Sequence, residues 1–451
     1  MKADASWLRH FPGPLRRWLQ GRTELQAALG NSGWLVADRA VRGLVGFAVI
    51  VALARTLGPQ QFGLLTYCAA IVWSLSALTG LGLDGLVVKR FVTHPEDKDG
   101  ILGSALGMRL AGSLLVVILA AAAVVLLRPG DGLAAWLVVV LAAANFFVTF
   151  DAIDLWFQSR VKSRYTVLAK LGPYVAINLA KIGFALAGAS LMVIAWIVLV
   201  EMLACAAALC AAYSATGGKF RRLRFRLEDC RSLLLEGWPL ALVAVFITVR
   251  MRVDQVMLGQ MVDDAAVAAY SVASRLVELW YVGPVFLATS LFPMIIRSRE
   301  LGEHRFLARM QRLYDGLVWA AVLTALAITV LAPWLVPLLF GEGYRQSAGI
   351  LIILIWMSTW VFFGVARSRW LLAEGHIRPM LYVEVLALVF NVIANLYAIP
   401  RLGAAGAAWS ALFAIFAANG LVAVFSPSIR LSMVMYGRAA TAPMRYLRRG
   451  A

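Results

Sequence analysis

Charge is scarce in this chain, and negative charge is scarcest. Of 451 residues only 15% are Asp, Glu, Lys or Arg, with 24 acidic residues against 42 basic ones. Soluble domains carry about 25% charged residues. That shortage, with 62% hydrophobic residues in its place, excludes an ordinary water-soluble enzyme. Histidine is nearly missing: His10, His94, His304 and His376 all fall in segments expected to be cytoplasmic, outside the apolar runs. An intramembrane histidine relay or zinc cluster is therefore unsupported. Cysteine is as rare. Three of Cys68, Cys205, Cys210 and Cys230 lie in apolar stretches and none has a paired metal-ligand spacing, so they read as small core hydrophobes. No HExxH, GxSxG or Walker pattern occurs, which leaves hydrolysis and ATP use without a motif. The first 32 residues contain Arg9, Arg16, Arg17 and Arg22 but no apolar core of a signal peptide, so the first apolar run is expected to stay as an anchor.

What the chain has is long apolar runs. A membrane-crossing helix needs about 20 predominantly apolar residues. Polar, Gly and Pro punctuation divides the sequence into twelve such lengths: 33–55, 63–83, 101–127, 133–157, 166–188, 190–213, 236–258, 266–296, 313–333, 347–366, 380–400 and 403–426. With a cytoplasmic N terminus, seven cytoplasmic segments hold 30 of the Lys and Arg residues, and the opposite loops hold only Arg55, Arg128, Arg345 and Arg401. That asymmetry fits the rule that cytoplasmic loops collect positive charge. Most of the formal +18 is thus explained by topology, and a nucleic-acid partner is not needed.

The expected fold is an all-α integral membrane protein of twelve transmembrane helices in two six-helix lobes, with both termini cytoplasmic. Its parts are a cytoplasmic N-terminal segment (1–32), an N-lobe (33–213), a cytoplasmic linker (214–235), a C-lobe (236–426) and a cytoplasmic tail (427–451). The linker carries Lys219, Arg221, Arg222, Arg224, Arg226 and Arg231, a positive stretch suited to anionic headgroups. Six spans per lobe make both lobes enter from the cytoplasm, so a repeat must be parallel, as in transporters with a central cavity between such halves. Gly33-Trp34 at the first span and Gly237-Trp238 at the seventh are a weak trace of that repeat. Loops this short leave no room for a folded catalytic domain, and a non-enzymatic transporter remains.

Eight cations fall inside the expected spans: Arg39, Arg42, Arg109, Lys170, Lys181, Arg250, Arg252 and Arg275. Each costs about 2.5 to 3.5 kcal/mol on insertion scales and faces a bundle interior or an aqueous cavity. Lys170, near the cytoplasmic end, is excused by snorkelling. The other seven form a candidate cationic cavity, their Arg forks suited to phosphate oxygens. The acids in or near spans are Asp38, Asp151, Asp154, Glu201, Asp254, Glu278 and Glu384. Asp38, Asp154, Glu201, Asp254 and Glu278 are candidates for coupling to a proton or sodium ion. The competing reading is ion pairing within helices: Asp38 with Arg42 and Arg250 with Asp254 at i, i+4, and Arg275 with Glu278 at i, i+3. Arg39, Arg109, Lys181 and Arg252 have no carboxylate at such spacing in their own span.

LARTLGPQQFGLLTYCAAIVWSLSALTGLGLDGLVVKR (53–90) resembles the opening of polysaccharide flippases in the MOP superfamily, the O-antigen and exopolysaccharide translocases related to multidrug MATE carriers. RMRVDQVMLGQMVDDAAVAAYSVASRLVE (250–278), PLLFGEGYRQSAGILIIL (337–354) and LGAAGAAWSAL (402–412) are similar to further stretches of that family, in order along nearly the whole chain. The resemblance implies a MATE-like bundle that moves undecaprenyl-diphosphate-linked oligosaccharide to the outer leaflet of the bacterial inner membrane by alternating access. It implies the lipid bilayer and a glycan polymerase or export machinery as partners, no nucleic acid, and no bound cofactor. Only Asp254, in the Arg252-Val253-Asp254 triplet, is placed by motif. The alternative is a MATE-like ion-coupled exporter of small molecules.

Overall fold

The computed structural model describes residues 23–373, 377–442 and 445. Residues 1–22 of the expected N-terminal segment, His10, His376 and the end of the tail lie outside the described residues. Helices follow in order: α1 (Thr23–Leu75), α2 (Ala77–Gly80), α3 (Asp84–Thr93), α4 (Lys98–Leu127), α5 (Gly132–Phe146), α6 (Ala152–Ser159), α7 (Ser163–Leu186) and α8 (Leu191–Ala215). After a connection come α9 (Leu227–Arg250), α10 (Val253–Met261), α11 (Asp264–Trp280), α12 (Val282–Arg297), α13 (Glu303–Phe340), α14 (Gln346–Ala373), α15 (Ile377–Phe425) and α16 (Pro427–Ala440). No strand occurs among the described residues. This all-helical make-up follows from a bilayer's lack of water: every backbone N–H and C=O must find its partner within the segment.

Nine helical stretches among the described residues are long and apolar enough to cross a membrane, which makes this a multi-pass membrane protein. The two longest, 37–93 and 378–425, each contain a kink, one between the first two expected spans and one at the first residue of the twelfth. Gly58 (φ 71°) and Gly403 (φ 56°) make those kinks, in a left-handed conformation that a side chain resists. The expected seventh span is broken. Helix α9 stops at Arg250, Met251 and Arg252 turn, and α10 restarts at Val253. Helix α9 begins at Leu227, inside the stretch 214–235 expected to link the lobes. Asp263 caps α11 by accepting the amide of Ala266 at 2.7 Å, and Ser426 Oγ caps α16.

The chain divides into two compact units. The first comprises 1–52, 78–122 and 135–238. Its core gathers Leu83, Val87, Phe91, Leu102, Phe157 and Tyr213, with Trp156 edge-on to Tyr213 at 5.2 Å. The connection after α8 is docked on α4: Arg224 donates its amide to the Asp99 carbonyl at 3.1 Å, and Arg226 ion-pairs with Asp97 at 2.5 Å. Gly103 makes that docking possible, since a Cβ there would meet the Arg224 backbone at 2.4 Å.

The second unit comprises 53–77, 123–134 and 239–451. Phe306, Met310, Tyr314, Leu317, Phe363 and Met435 tie α13, α14 and α16 together. Two short N-half segments belong to this unit through polar contacts at the expected outward side. Arg128 holds Asp264 through two bonds of 2.5 and 3.1 Å, donates to the Gly259 carbonyl, and lies 4.1 Å over the Tyr67 ring. Tyr67 in turn accepts from Gln260 at 2.6 Å. Arg55 donates to the Leu338 and Leu339 carbonyls at the end of α13. Arg55 and Arg128, two of the arginines expected to face outward, therefore pair with carboxylate or carbonyl oxygens.

Candidate functional site

The helix break at 251–252 organises the charges of the second unit. Without the break, Arg250 and Asp254 would share one face, as their spacing suggests. The turn separates them, and Arg250 instead ion-pairs with Glu384 of α15 at 3.0 Å. Asp254, only 4% exposed, accepts from Tyr270 Oη at 2.5 Å and from Asn395 Nδ2 at 2.7 Å. Arg252 stands at the N-terminal cap position of α10. Its guanidinium reaches Glu278 Oε1 at 3.0 Å, while Arg275 donates to Glu278 Oε2 at 2.9 Å, the expected i, i+3 pair. Both guanidiniums lie over the Trp73 ring, at 4.8 and 5.0 Å from its centroid. Two cations thus share one carboxylate and a half-exposed indole face, which leaves the cluster at +1.

The first unit holds a separate set of pairs. Asp38 and Arg42 meet at 2.8 Å, and Arg42 lies 4.5 Å over the Tyr174 ring. Lys181 donates to Glu201 at 2.6 Å and to Asn178 at 3.2 Å, both ionic side chains being 5% exposed. Arg109 is buried and pairs with Asp84 at 2.5 Å. Lys170, expected to snorkel, pairs with Asp151 at 2.7 Å. Asp154 accepts from Gln158, and Arg39 is exposed on α1.

Arg109, Lys181 and Arg252 have no carboxylate at i, i+3 or i, i+4 spacing in their own spans, and the tertiary structure supplies one from a neighbouring segment. Separation in sequence hid these partners: 25 residues for Arg109 and Asp84, and 26 for Arg252 and Glu278. Such pairing offsets the several kcal/mol of desolvation that each buried ion carries.

A cavity of about 480 Å³ opens inside the second unit, with Arg250, Asp254, Tyr270, Glu278 and Glu384 in its wall. Its wall also includes Arg367, a residue the span limits place in a cytoplasmic segment. Helix α14 runs on to Ala373, so Arg367 is still within it and is 4% exposed. Its position one residue past an expected span was the available signal. No group of three or more His, Cys, Asp or Glu side chains that would hold a metal occurs among the described residues.

Comparison with solved structures finds this arrangement of helices repeatedly. The lipid II flippase MurJ in an inward closed conformation aligns over 92% of this chain and 99% of its own, with a TM-score of 0.69 and 15% identity. A multidrug resistance MATE family transporter of the MOP superfamily, inward-facing, aligns over 91% and 96%, at 0.65 and 17% identity. A MOP superfamily transporter from Pyrococcus furiosus, described as having reversed binding-pocket polarity, aligns over 92% and 96%, at 0.61 and 16% identity. These likenesses bear out the MOP superfamily fold. No curated protein matches the chain. The MatE family model matches residues 239–397. The polysaccharide biosynthesis protein family model matches residues 28–299, more than half of the sequence, and the chain belongs to that family.

Proposed function

We propose that this protein moves an undecaprenyl-diphosphate-linked oligosaccharide from the cytoplasmic to the outer leaflet of a bacterial inner membrane, by alternating access and without making or breaking a covalent bond. The observation that carries this reading is the Arg252–Glu278–Arg275 cluster on Trp73. Two guanidiniums and one carboxylate form an incompletely neutralised anion site, and guanidinium forks hold phosphate oxygens two at a time. Membership in the polysaccharide biosynthesis family supports a glycan cargo.

Asp254 is the proposed coupling site for a proton or sodium ion. Its carboxylate is buried against two uncharged donors, and the adjacent Asn395 Oδ1 is buried without a hydrogen-bond partner. That unused oxygen supports a cation bound between carboxylate and amide.

The test is translocation of a defined lipid-linked glycan by the full chain in proteoliposomes. Arg252→Ala and Arg275→Ala should each slow it at least tenfold, and Asp254→Asn should remove any dependence on a proton or sodium gradient. Normal rates in all three variants would refute the site. The MatE match over 239–397 favours a second reading, ion-coupled export of small molecules. Gradient-driven efflux of an organic cation, with no movement of lipid-linked glycan, would establish it instead.

A further inference from the structure

A groove of about 940 Å³ in the second unit shares no lining residue with the cavity described above. Its wall runs from Arg378, Tyr382 and Leu386 at the start of α15 to Leu421 and Phe425 at the end of that helix, and reaches Ser428 in the first turn of α16. These are the first residues of the eleventh expected span and the last of the twelfth, and Pro239, near the start of the seventh, completes the wall. Three span ends meeting in one place set the groove at the level where hydrocarbon gives way to headgroups. By the expected orientation that level is the cytoplasmic leaflet.

The chemistry of the wall changes with depth. Deeper along the spans it is apolar or aromatic and open: Tyr382, Leu421 and Phe425 are 55%, 39% and 78% exposed. At the span ends stands Arg378, exposed, and among the described residues no carboxylate lines the groove to match its charge. Beside it begins the 14-residue α16, whose first amides point out of the helix. Pro427 has no amide hydrogen, that of Ile429 is taken by Ser426 Oγ, and that of Ser428 has no acceptor within its helix. The positive end of the helix dipole favours an anion there. Arg430 donates to the Ala423 and Val424 carbonyls at 3.1 and 2.7 Å, which covers the negative end of α15 that would repel one.

We propose that this groove binds one anionic phospholipid of the cytoplasmic leaflet, its phosphate held by Arg378 and the first turn of α16 and an acyl chain laid along Tyr382, Leu386, Leu421 and Phe425. The order of chemistry in the wall, cationic at the boundary and apolar below it, is that of such a lipid. One guanidinium and one free amide match the single charge of a phosphodiester, whereas a diphosphate would keep charge unmatched. The bound lipid bridges α15 and α16 and so holds the last helix in place, whatever cargo the protein carries.

The test is lipid binding to the purified full chain in detergent, read by native mass spectrometry and by the thermal midpoint. The probes are phosphatidylglycerol, phosphatidylcholine with the same acyl chains, and undecaprenyl diphosphate. The wild type should bind phosphatidylglycerol about fivefold more tightly than phosphatidylcholine, the effect of one basic residue beside a net headgroup charge. Arg378→Gln should bring phosphatidylglycerol down to the phosphatidylcholine level and abolish the rise in midpoint that phosphatidylglycerol gives the wild type. Leu421→Trp fills the groove with every charge in place and should weaken both phospholipids. Arg221→Gln removes an equal charge from the exposed connection after α8 and should change neither. Equal affinities of the wild type for the two phospholipids, unchanged phosphatidylglycerol binding in either groove variant, or an equal loss in Arg221→Gln would overturn the proposal. So would displacement of phosphatidylglycerol by a smaller concentration of undecaprenyl diphosphate, which would make the groove a cargo site. A Leu421→Trp chain that fails to fold leaves the exposed Arg378 to decide.

Discussion

The proposed alternating access requires the contacts on the expected outward side of the second unit to break once per cycle, so weakening them should expose what they cover. The Arg128–Asp264 fork is the strongest of these contacts, with bonds of 2.5 and 3.1 Å. At an effective dielectric of about 20, a charge pair near 3 Å attracts by about 5 kcal/mol. The side chains are 15% and 19% exposed, and Asp264→Asn keeps one hydrogen bond, so the net loss is discounted to about 2 kcal/mol. That corresponds to about a 30-fold rise in the open population. Cys68 reports it directly. It is 0% exposed, and its thiol lies 3.8 Å from the Ala134 carbonyl in the same unit. With Cys205, Cys210 and Cys230 replaced by Ser, a membrane-impermeant maleimide added from the outside should label Cys68 about 30 times faster in Asp264→Asn than in the parent. The Arg128→Asp, Asp264→Arg double exchange should restore slow labelling. A change of less than about twofold in Asp264→Asn would refute the expectation that this pair keeps Cys68 covered.

Lys181→Met is expected to destabilise the protein by about 3 to 5 kcal/mol, because it strands the Glu201 carboxylate at 5% exposure. Adding Glu201→Gln should recover most of that loss in a chemical-denaturation series, and full stability in the single variant would show that the pair carries no such energy. Gly103→Ala should lower the thermal midpoint and increase proteolysis near Arg224, whose backbone a Cβ would meet at 2.4 Å. Glu278→Gln leaves Arg252 and Arg275 without their shared carboxylate. It should tighten binding of inorganic diphosphate and slow turnover, and weaker binding would count against a guanidinium anion site.

Much of the fold was legible in one dimension because a bilayer imposes one-dimensional rules. Run length marks the crossing segments, and the long helices kink at Gly58, between two expected spans, and at Gly403, where the twelfth expected span begins. The pair Asp38 with Arg42 was legible too, since its partners share one uninterrupted helix. The pair Arg250 with Asp254 misled, because no Pro or Gly announces the turn at 251–252. Arg367 was counted as a loop cation because an expected span of ordinary length ends just before it, while α14 continues for two more turns into the protein.

Composition and order of residues therefore determined the all-helical membrane architecture and the family resemblance, since these depend on hydropathy and motif along the chain. Only the tertiary structure decided which cations are matched. Ion-pair energy depends on distance across helices, and the partners of Arg109, Lys181, Arg250 and Arg252 are 20 to 134 residues away. Depth in a span identified these arginines and lysines as buried charges. Packing determined that most of them are neutralised by neighbours.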